Sequence, residues 1–427
     1  EELALEDLER ARSAQPDEAG HAVAVARWYL NQVAKHERTG RRELAAEARA
    51  RFDEEWEAIR AEFPDAPDVM SLELRLKRAD ALREATTLEE RARAVRGLGD
   101  EASAVLDRAL ALEASSIETG ELLGLARAAL LMTFGAEAEP LLTLVRRVSS
   151  SRAEPEPELL LAEAEVLRRL GRPDEALSVY EEVLALETPP VSLEGLALPF
   201  YQRQAAGSMV DATLAQVSSA DSPERRRELL EAAEAHRDRL AELVDVSSQS
   251  ELSLRDARIA MMREDFSTAV KLLNDLRVDR PEDAQILEML GMALRAQGNL
   301  GEAKSVFEDL LAEERVTYAL LVRLADTEYD LENLERARDL YRQAGELTSD
   351  RAYVDNRLEA VERALSGGEE GVTSAGSTDP VVSAALEARR LRAEGSLAGA
   401  RERLLEARAD RPGSVTLASE LVSVELA

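Results

Sequence analysis

The sequence predicts an all-α protein built as an array of stacked, antiparallel helix pairs, and three observations support this fold class. Ala, Leu, Glu and Arg dominate the composition, and these residues favour helices because they lose little side-chain freedom there. Aromatic residues make up only 4% of the chain, so strand-forming residues are scarce. A length of 427 residues, with a 34-residue internal period, is typical of several domains or one elongated array.

The period is clearest in the second half of the chain. Ala269, Ala303 and Ala337 lie 34 residues apart. Apolar or small residues recur three positions before each alanine and four and seven positions after it: Phe266, Leu273 and Leu276; Leu300, Phe307 and Leu310; Leu334, Tyr341 and Ala344. This spacing places one apolar stripe on one face of a helix.

A second helix precedes each of these, and a small residue marks its centre. Ala257, Gly291 and Ala325 lie twelve residues before the three alanines. A small side chain lets two helix backbones approach closely. The predicted unit is therefore helix, short turn, helix, and neither helix can bury its stripe unless the next unit stacks on it.

These columns resemble the tetratricopeptide repeat family. In the copy at 284–317 the matching residues are Leu287, Leu290, Gly291, Leu294, Gly298, Ala303 and Phe307, whereas Arg315 replaces the family's proline. Copies at 250–283 and 318–351 match in tandem, and less regular copies occur at 159–187 and near the C-terminal end. The resemblance implies an α-solenoid with a right-handed superhelix and a concave surface that binds peptides or protein segments.

The pattern divides the chain into six segments. Residues 1–187 hold irregular repeat-like helices, 188–249 a divergent helical pair joining two sub-arrays, 250–351 three regular repeats, 352–365 a packing helix, 366–380 a flexible Gly- and Ser-rich linker, and 381–427 a C-terminal repeat and terminal helix. Within the divergent pair, Ser222 is the expected helix cap and Pro223 the first helical residue. Both chain ends read as cut within a repeat, which indicates a piece of a longer protein or a pair of capping helices.

Composition and motifs narrow the range of functions. The formal charge of −31 predicts that nucleic acid and anionic lipid are repelled. The chain has no cysteine and only three scattered histidines, and it contains no phosphate-binding loop, nucleophile elbow or metal-binding motif. We therefore expect no catalytic residue, no metal and no cofactor, and we interpret the protein as a non-enzyme.

The candidate site follows from the resemblance, which implies that positions 2, 5, 6, 9, 12 and 13 of each copy line the concave surface. The partner-binding residues predicted in this way are Leu254, Arg255, Arg258, Met261, Met262, Met289, Met292, Arg295, Arg323 and Tyr329; Asp326 and Glu288 share these columns. Four of the seven methionines fall in this set. Methionine adapts to irregular apolar partners and arginine pairs with carboxylates, so the surface suits a segment with apolar and acidic residues. Under the alternative interpretation, the methionines pack between helices and the arginines pair with neighbouring Glu.

The sequence thus predicts a non-catalytic scaffold that binds a protein or peptide segment. The Lys and Asn pair with which chaperone-docking members clamp a C-terminal carboxylate is replaced here by Leu254 and Arg258, which argues against that partner class. The alternative function is the repeat region of a larger bacterial signalling or envelope-assembly protein, whose effector or membrane anchor lies outside this chain.

Three further expectations concern the surroundings of the protein. The most apolar stretch, residues 120–135, is too short to span a bilayer, so no membrane insertion by this chain is expected. Apolar stripes at the array ends would allow self-association. The lack of cysteine favours a bacterial periplasmic or envelope-associated location over a cytoplasmic one.

Overall fold

Helices account for all the regular secondary structure in the described part of the chain. The computed structural model describes residues 2–83, 85, 88–187, 198–245, 248–312, 316–348, 351–365, 384, 387–388 and 397–410. Within these ranges the elements are α-helices, joined by turns and two short 3-10 segments at Ala114–Ser116 and Gly135–Ala138. The predicted linker at 366–380 lies outside the described residues.

The helices follow one another along the chain with short connections. The first half holds α1 (Glu2–Ala14), α2 (Ala19–Arg38), α3 (Arg42–Glu62), α4 (Pro67–Arg83), α5 (Leu88–Arg96), α6 (Gly99–Ala111), α7 (Thr119–Ala129), α8 (Glu139–Ser150), α9 (Pro157–Arg169) and α10 (Pro173–Ala185). The second half holds α11 (Leu198–Ser218), α12 (Pro223–Leu243), α13 (Gln249–Met262), α14 (Phe266–Asp279), α15 (Ala284–Ala296), α16 (Leu300–Ala312), α17 (Tyr318–Asp330), α18 (Leu334–Glu346), α19 (Ala352–Leu365) and α20 (Leu397–Asp410).

Two compact units divide the chain, Glu1–Leu358 and Glu359–Ala427. In the first unit each of α2, α4, α7, α9, α11, α13, α15 and α17 packs against the helix that follows it, and we call these eight the first helices. Further contacts run from α2 to α4, α7, α9, α11 and α13 in succession, and from α15 to α17. This stacking of helix pairs confirms the predicted all-α solenoid. In the second unit Val361, Ala384 and Leu404 are fully buried.

The repeat columns read from the sequence form the core of residues 250–351. Ala269, Ala303 and Ala337 are fully buried, as are the bulky residues four positions later: Leu273, Phe307 and Tyr341. A Cβ built at Gly291 would overlap the ring of Phe307, so this column has to be small for α15 and α16 to pack. The small and large columns therefore fit together across each helix pair.

The turn between the two helices of a repeat uses the same backbone conformation in each copy. Gly298 has a φ of 89°, and Glu264 and Glu332, in the equivalent positions of the neighbouring copies, have φ values of 65° and 62°. A left-handed residue costs about 1–2 kcal/mol when it carries a Cβ. Two copies thus tolerate at this turn a residue that is less suited to it than glycine.

The helices α11 and α12, 21 residues each, are among the longest in the described part of the chain. The side chain of Ser222 accepts a hydrogen bond from the backbone N–H of Arg225 at 3.1 Å, and Pro223 begins the helix, as the sequence predicted. Leu229, Leu230 and Ala233 bury one face of α12 against Val210 and Leu214 of α11. The α11–α12 pair thus packs between α10 and α13 and continues the stack of helices.

Candidate functional site

The predicted concave residues lie on the first helices α13, α15 and α17, with Leu254, Met261 and Tyr329 among those that are half-buried. Met292 is the most open of the ten, with 37% of its surface exposed. The arginines and the methionines have different surroundings, which determine whether each side chain is available to a ligand.

Two arginines of α13 share one carboxylate on α11. Arg255 donates from Nη2 to Oδ2 of Asp211 at 2.8 Å and from Nε to the carbonyl oxygen of Gly207 at 3.2 Å. Arg258 donates to the other oxygen of Asp211. Both cations are therefore held by the preceding first helix.

The remaining two arginines link α15 and α17. Arg295 donates from Nη2 to Asp330 at 2.8 Å, with Asp326 at 3.8 Å from Nη1. Arg323 contacts the carboxylate of Glu288, and burial lowers the pKa of its guanidinium. Each of the four predicted arginines thus has a carboxylate partner within the chain, so an acidic ligand would have to compete with these pairs.

The methionines fall into two groups. Met262 packs against the buried cluster of α11 and α12 that includes Val210, Leu214 and Leu229, so its contacts are structural. Met261 and Met289 are half-buried, and Met292 is among the exposed large apolar residues of the protein. An unbranched, flexible thioether on an open helix face can adjust to partners of different shape.

A buried polar cluster adjoins these residues and was not predicted as such. Asp326, only 6% exposed, accepts hydrogen bonds from the hydroxyls of Tyr341 and Tyr353 and from the guanidinium of Arg357. The Tyr353 hydroxyl lies 2.9 Å from Oδ2, and Nη2 of Arg357 lies 2.7 Å from Oδ1. One carboxylate thus joins α17, α18 and α19.

Aromatic rings surround the same guanidinium. Arg357 Cζ lies 5.2 Å from the centre of the Tyr329 ring, 5.7 Å from that of Tyr353 and 5.9 Å from that of Tyr341. Burial and the charge of Asp326 raise the pKa of Tyr353 to about 12 and also raise the pKa of Tyr341. Burial, the largest single influence, would lower the pKa of Arg357, but Asp326, Tyr341 and Tyr353 together outweigh it and the pKa is raised. Predicted residue Tyr329 therefore already covers an arginine of the chain itself.

The repeat register of the sequence could have predicted part of this cluster. Tyr353 and Arg357 occupy positions 2 and 6 of the next 34-residue copy, which are concave columns like position 9 of Asp326. Continuing the register by one more helix would have selected them. Asp211 had no such signal, because α11 lies in the divergent segment.

The repeat geometry agrees with a comparison against known families. A tetratricopeptide repeat model matches residues 254–313 and 289–352. Residues 254–352 are therefore tetratricopeptide repeats. This fold supports scaffolds for protein–protein interaction, and proteins with tetratricopeptide repeats are in general non-catalytic.

Solved structures with tetratricopeptide repeats resemble the chain at low sequence identity. A repeat protein from Parabacteroides merdae is 15% identical, with a TM-score of 0.44 over 69% of this chain and 99% of that one. Pseudomonas aeruginosa pilF is 13% identical, with a TM-score of 0.34 over 62% and 97%. YrrB, described as having an unusual peptide-binding site, is 15% identical, with a TM-score of 0.34 over 50% and 97%. No curated protein matches the chain.

None of the helices in the described ranges is both long and apolar enough to cross a membrane.

Proposed function

We propose that this tetratricopeptide-repeat protein recruits another protein by binding one of its peptide segments along the first helices of residues 250–330. Met261, Met289 and Met292 would supply the apolar contacts. The observation that carries the proposal is the open position of Met292, a large apolar side chain with 37% of its surface exposed in a column that tetratricopeptide repeats use for ligands. An exposed apolar group on a regular helix face favours contact with a partner.

The arginines have a second role in this proposal. Because Arg255, Arg258, Arg295 and Arg323 are paired within the chain, they fix the spacing of neighbouring first helices and form a polar border. The energy of binding then comes from apolar side chains of the partner that pack against the methionines, as in most helical grooves. Leu254 and Tyr329 would extend the apolar strip at its two ends.

A peptide library displayed on phage and selected on the purified chain tests the proposal. Enriched peptides should carry apolar residues, and their affinity, measured by fluorescence anisotropy, should fall at least about tenfold in the double variant Met289→Glu/Met292→Glu. A tenfold loss corresponds to about 1.4 kcal/mol, which is the size expected for residues at the centre of an interface. Both substitutions lie on α15, so they change one helix face only.

The matched control is Val278→Glu/Val316→Glu. These valines are 81% and 50% exposed and also become acidic, but Val278 lies on α14 and Val316 precedes α17, so neither is part of a first helix. The control should keep the affinity of the native chain. Equal affinity in the methionine variant and the valine variant would remove the assignment of the site.

A further inference from the structure

A second feature lies at the other end of the array, on α2, α4 and α7. Arg27, Arg75 and Arg127 each occupy one of these three successive first helices. None of them was selected by the repeat register, and none belongs to the surface proposed above. Two helix contacts show that they form a row.

The first contact joins α2 and α4. A Cβ built at Gly20 would lie 3.0 Å from Oδ2 of Asp68, so these two positions face each other near the beginnings of their helices. Arg27 lies seven residues after Gly20, and Arg75 lies seven residues after Asp68. Seven residues are close to two helical turns, so both arginines return to the facing side at the same height.

The second contact joins α4 and α7. The hydroxyl of Ser71 donates to the carbonyl oxygen of Gly124 at 3.0 Å. Arg75 lies one turn after Ser71, and Arg127 lies one turn after Gly124. Arg75 therefore stands between Arg27 and Arg127. Burial lowers the pKa of Arg75, and the positive charges of Arg27 and Arg127 lower it further, whereas the more distant carboxylate of Asp68 opposes them only in part.

These arginines lack the partners that other arginines of the protein have. Among the described residues, no carboxylate forms an ion pair with any of the three, and no acceptor hydrogen-bonds to their guanidinium groups. The Nε of Arg27 is buried without an acceptor. The protein has 85 acidic residues against 54 basic ones, so three neighbouring cations without a carboxylate are unusual in it.

We propose that Arg27, Arg75 and Arg127 form a binding site for carboxylate side chains of an acidic peptide segment of a partner protein. Each guanidinium offers up to five N–H donors in a planar fork, which matches a carboxylate with two parallel hydrogen bonds. Three such groups side by side bind two adjacent carboxylates of a segment that runs along the helix axes. This site is separate from the methionine strip and does not depend on it.

The flank of the row explains why a peptide fits better than a polyanion. Glu18, Asp68, Glu118 and Glu121 lie at the beginnings of the same three helices, where the helix dipole favours them. Nucleic acid that crosses the arginines would also meet this acidic border and be repelled. A peptide with a basic residue close to its acidic residues would satisfy both rows.

The distance between the two rows sets the spacing of that ligand. Two helical turns are about 11 Å, and an extended peptide advances about 3.3 Å per residue. Acidic residues about three positions from a lysine or arginine would therefore reach both rows at once. The ligand is thus a segment with alternating charge clusters rather than a uniformly acidic tail.

The test uses a fluorescein-labelled peptide with two glutamates placed three residues from a lysine, and the full chain. We expect binding in anisotropy that weakens as salt is raised, and an affinity at least about tenfold lower in Arg75→Gln/Arg127→Gln. The control is Arg10→Gln/Arg227→Gln, because these arginines are 71% and 82% exposed and the net charge changes equally. Circular dichroism checks that each variant is folded.

Further arms identify the anion. A peptide with glutamines in place of the glutamates should not bind, and inorganic phosphate should not compete at millimolar concentration. Met289→Glu/Met292→Glu should leave this binding unchanged, which separates the site from the proposed function. The proposal is overturned if the glutamate peptide does not bind, if the glutamine peptide binds equally, if both double arginine variants behave alike, or if only a phosphoserine peptide binds.

Discussion

Two rows of arginines lie on the first helices of this protein, and they differ in how their charge is balanced. In the regular repeats, Arg255, Arg258, Arg295 and Arg323 each pair with a carboxylate on a neighbouring helix. In the N-terminal helices α2, α4 and α7, Arg27, Arg75 and Arg127 have no carboxylate partner among the described residues. Arginines on first helices thus link neighbouring helices in the regular repeats. In the N-terminal helices their N–H donors remain available to a ligand.

This difference in pairing indicates where an acidic ligand can bind. A paired arginine already has its best acceptor, and an incoming carboxylate gains little by replacing it. An arginine without such a partner gives up only bound water when a carboxylate arrives, and the carboxylate also reduces the repulsion between neighbouring cations. Charge on a repeat surface therefore indicates a binding site only when its intramolecular partners are known.

The largest effect is expected when the buried pair of Asp326 and Arg357 is broken. Replacing Asp326 by Ala leaves Arg357 buried beside three tyrosine rings with no counter-ion, which we expect to lower the free energy of unfolding by about 3–5 kcal/mol. Urea denaturation followed by circular dichroism measures it. The double variant Asp326→Leu/Arg357→Met should recover most of the loss, because no charge then remains buried.

The control for this change is Asp330→Ala, which removes an exposed partner of Arg295. Its cost should be at most about 1 kcal/mol, as for other exposed ion pairs. If both aspartate variants lost the same stability, the buried cluster would have no special role in joining α17, α18 and α19.

An intermediate effect compares helix packing in the two regions. Gly291→Ala places a methyl group against the ring of Phe307, and we expect it to destabilise the protein by about 1–3 kcal/mol. Gly124→Ala places it 3.7 Å from Oγ of Ser71, an ordinary contact. Since alanine favours helix by up to about 1 kcal/mol, Gly124→Ala should be neutral or stabilising.

Thermal unfolding of the two glycine variants checks this prediction. Gly301→Ala is a further control, because a Cβ there meets nothing within 4 Å. A loss of stability in Gly124→Ala as large as that in Gly291→Ala would mean that α4 and α7 approach each other as closely as a regular helix pair does.

The smallest effect concerns the arginines themselves. Arg75→Gln removes a charge that repels Arg27 and Arg127, so we expect unfolding stability to stay the same or rise by up to about 0.5 kcal/mol at low salt. Arg295→Gln removes a paired charge and should lower stability by up to about 1 kcal/mol. The two changes should differ in sign at low salt, and both should shrink near about 1 M salt. A clear loss in Arg75→Gln would indicate a carboxylate partner for Arg75.

Much of the fold was predictable because its signals are local and periodic. The columns of Ala303 and Phe307, the close approach at Gly291 and the cap at Ser222 were all read from spacing, and their burial or hydrogen bonds confirm them. The left-handed turn at Gly298 was visible as a glycine. The same turn at Glu264 and Glu332 was not predictable from the sequence, because glutamate is not a residue type that indicates a left-handed backbone.

The candidate site was only partly predictable. The register gives the column of each side chain, but a column does not tell whether Met292 stays open or Met262 packs inward against the cluster of α11 and α12. Arg255 and Arg258 were predicted to contact a partner because their pairing with Asp211 could not be foreseen. Asp211 lies outside the regular copies, so the repeat register does not place it near them. Arg27, Arg75 and Arg127 stayed unrecognised because their separations along the chain differ from the repeat period.

The paired helices and their 34-residue repeat follow from the sequence alone, because helix periodicity and the small and large columns depend on residues close together in the chain. Which charges are neutralised depends on the tertiary structure. Arg357 and Asp326, or Arg255 and Asp211, meet through the stacking of separate helices, and Coulomb energy depends on distance in space rather than in sequence. The same stacking brings three arginines of the N-terminal helices together, and none of them forms an ion pair with a described residue.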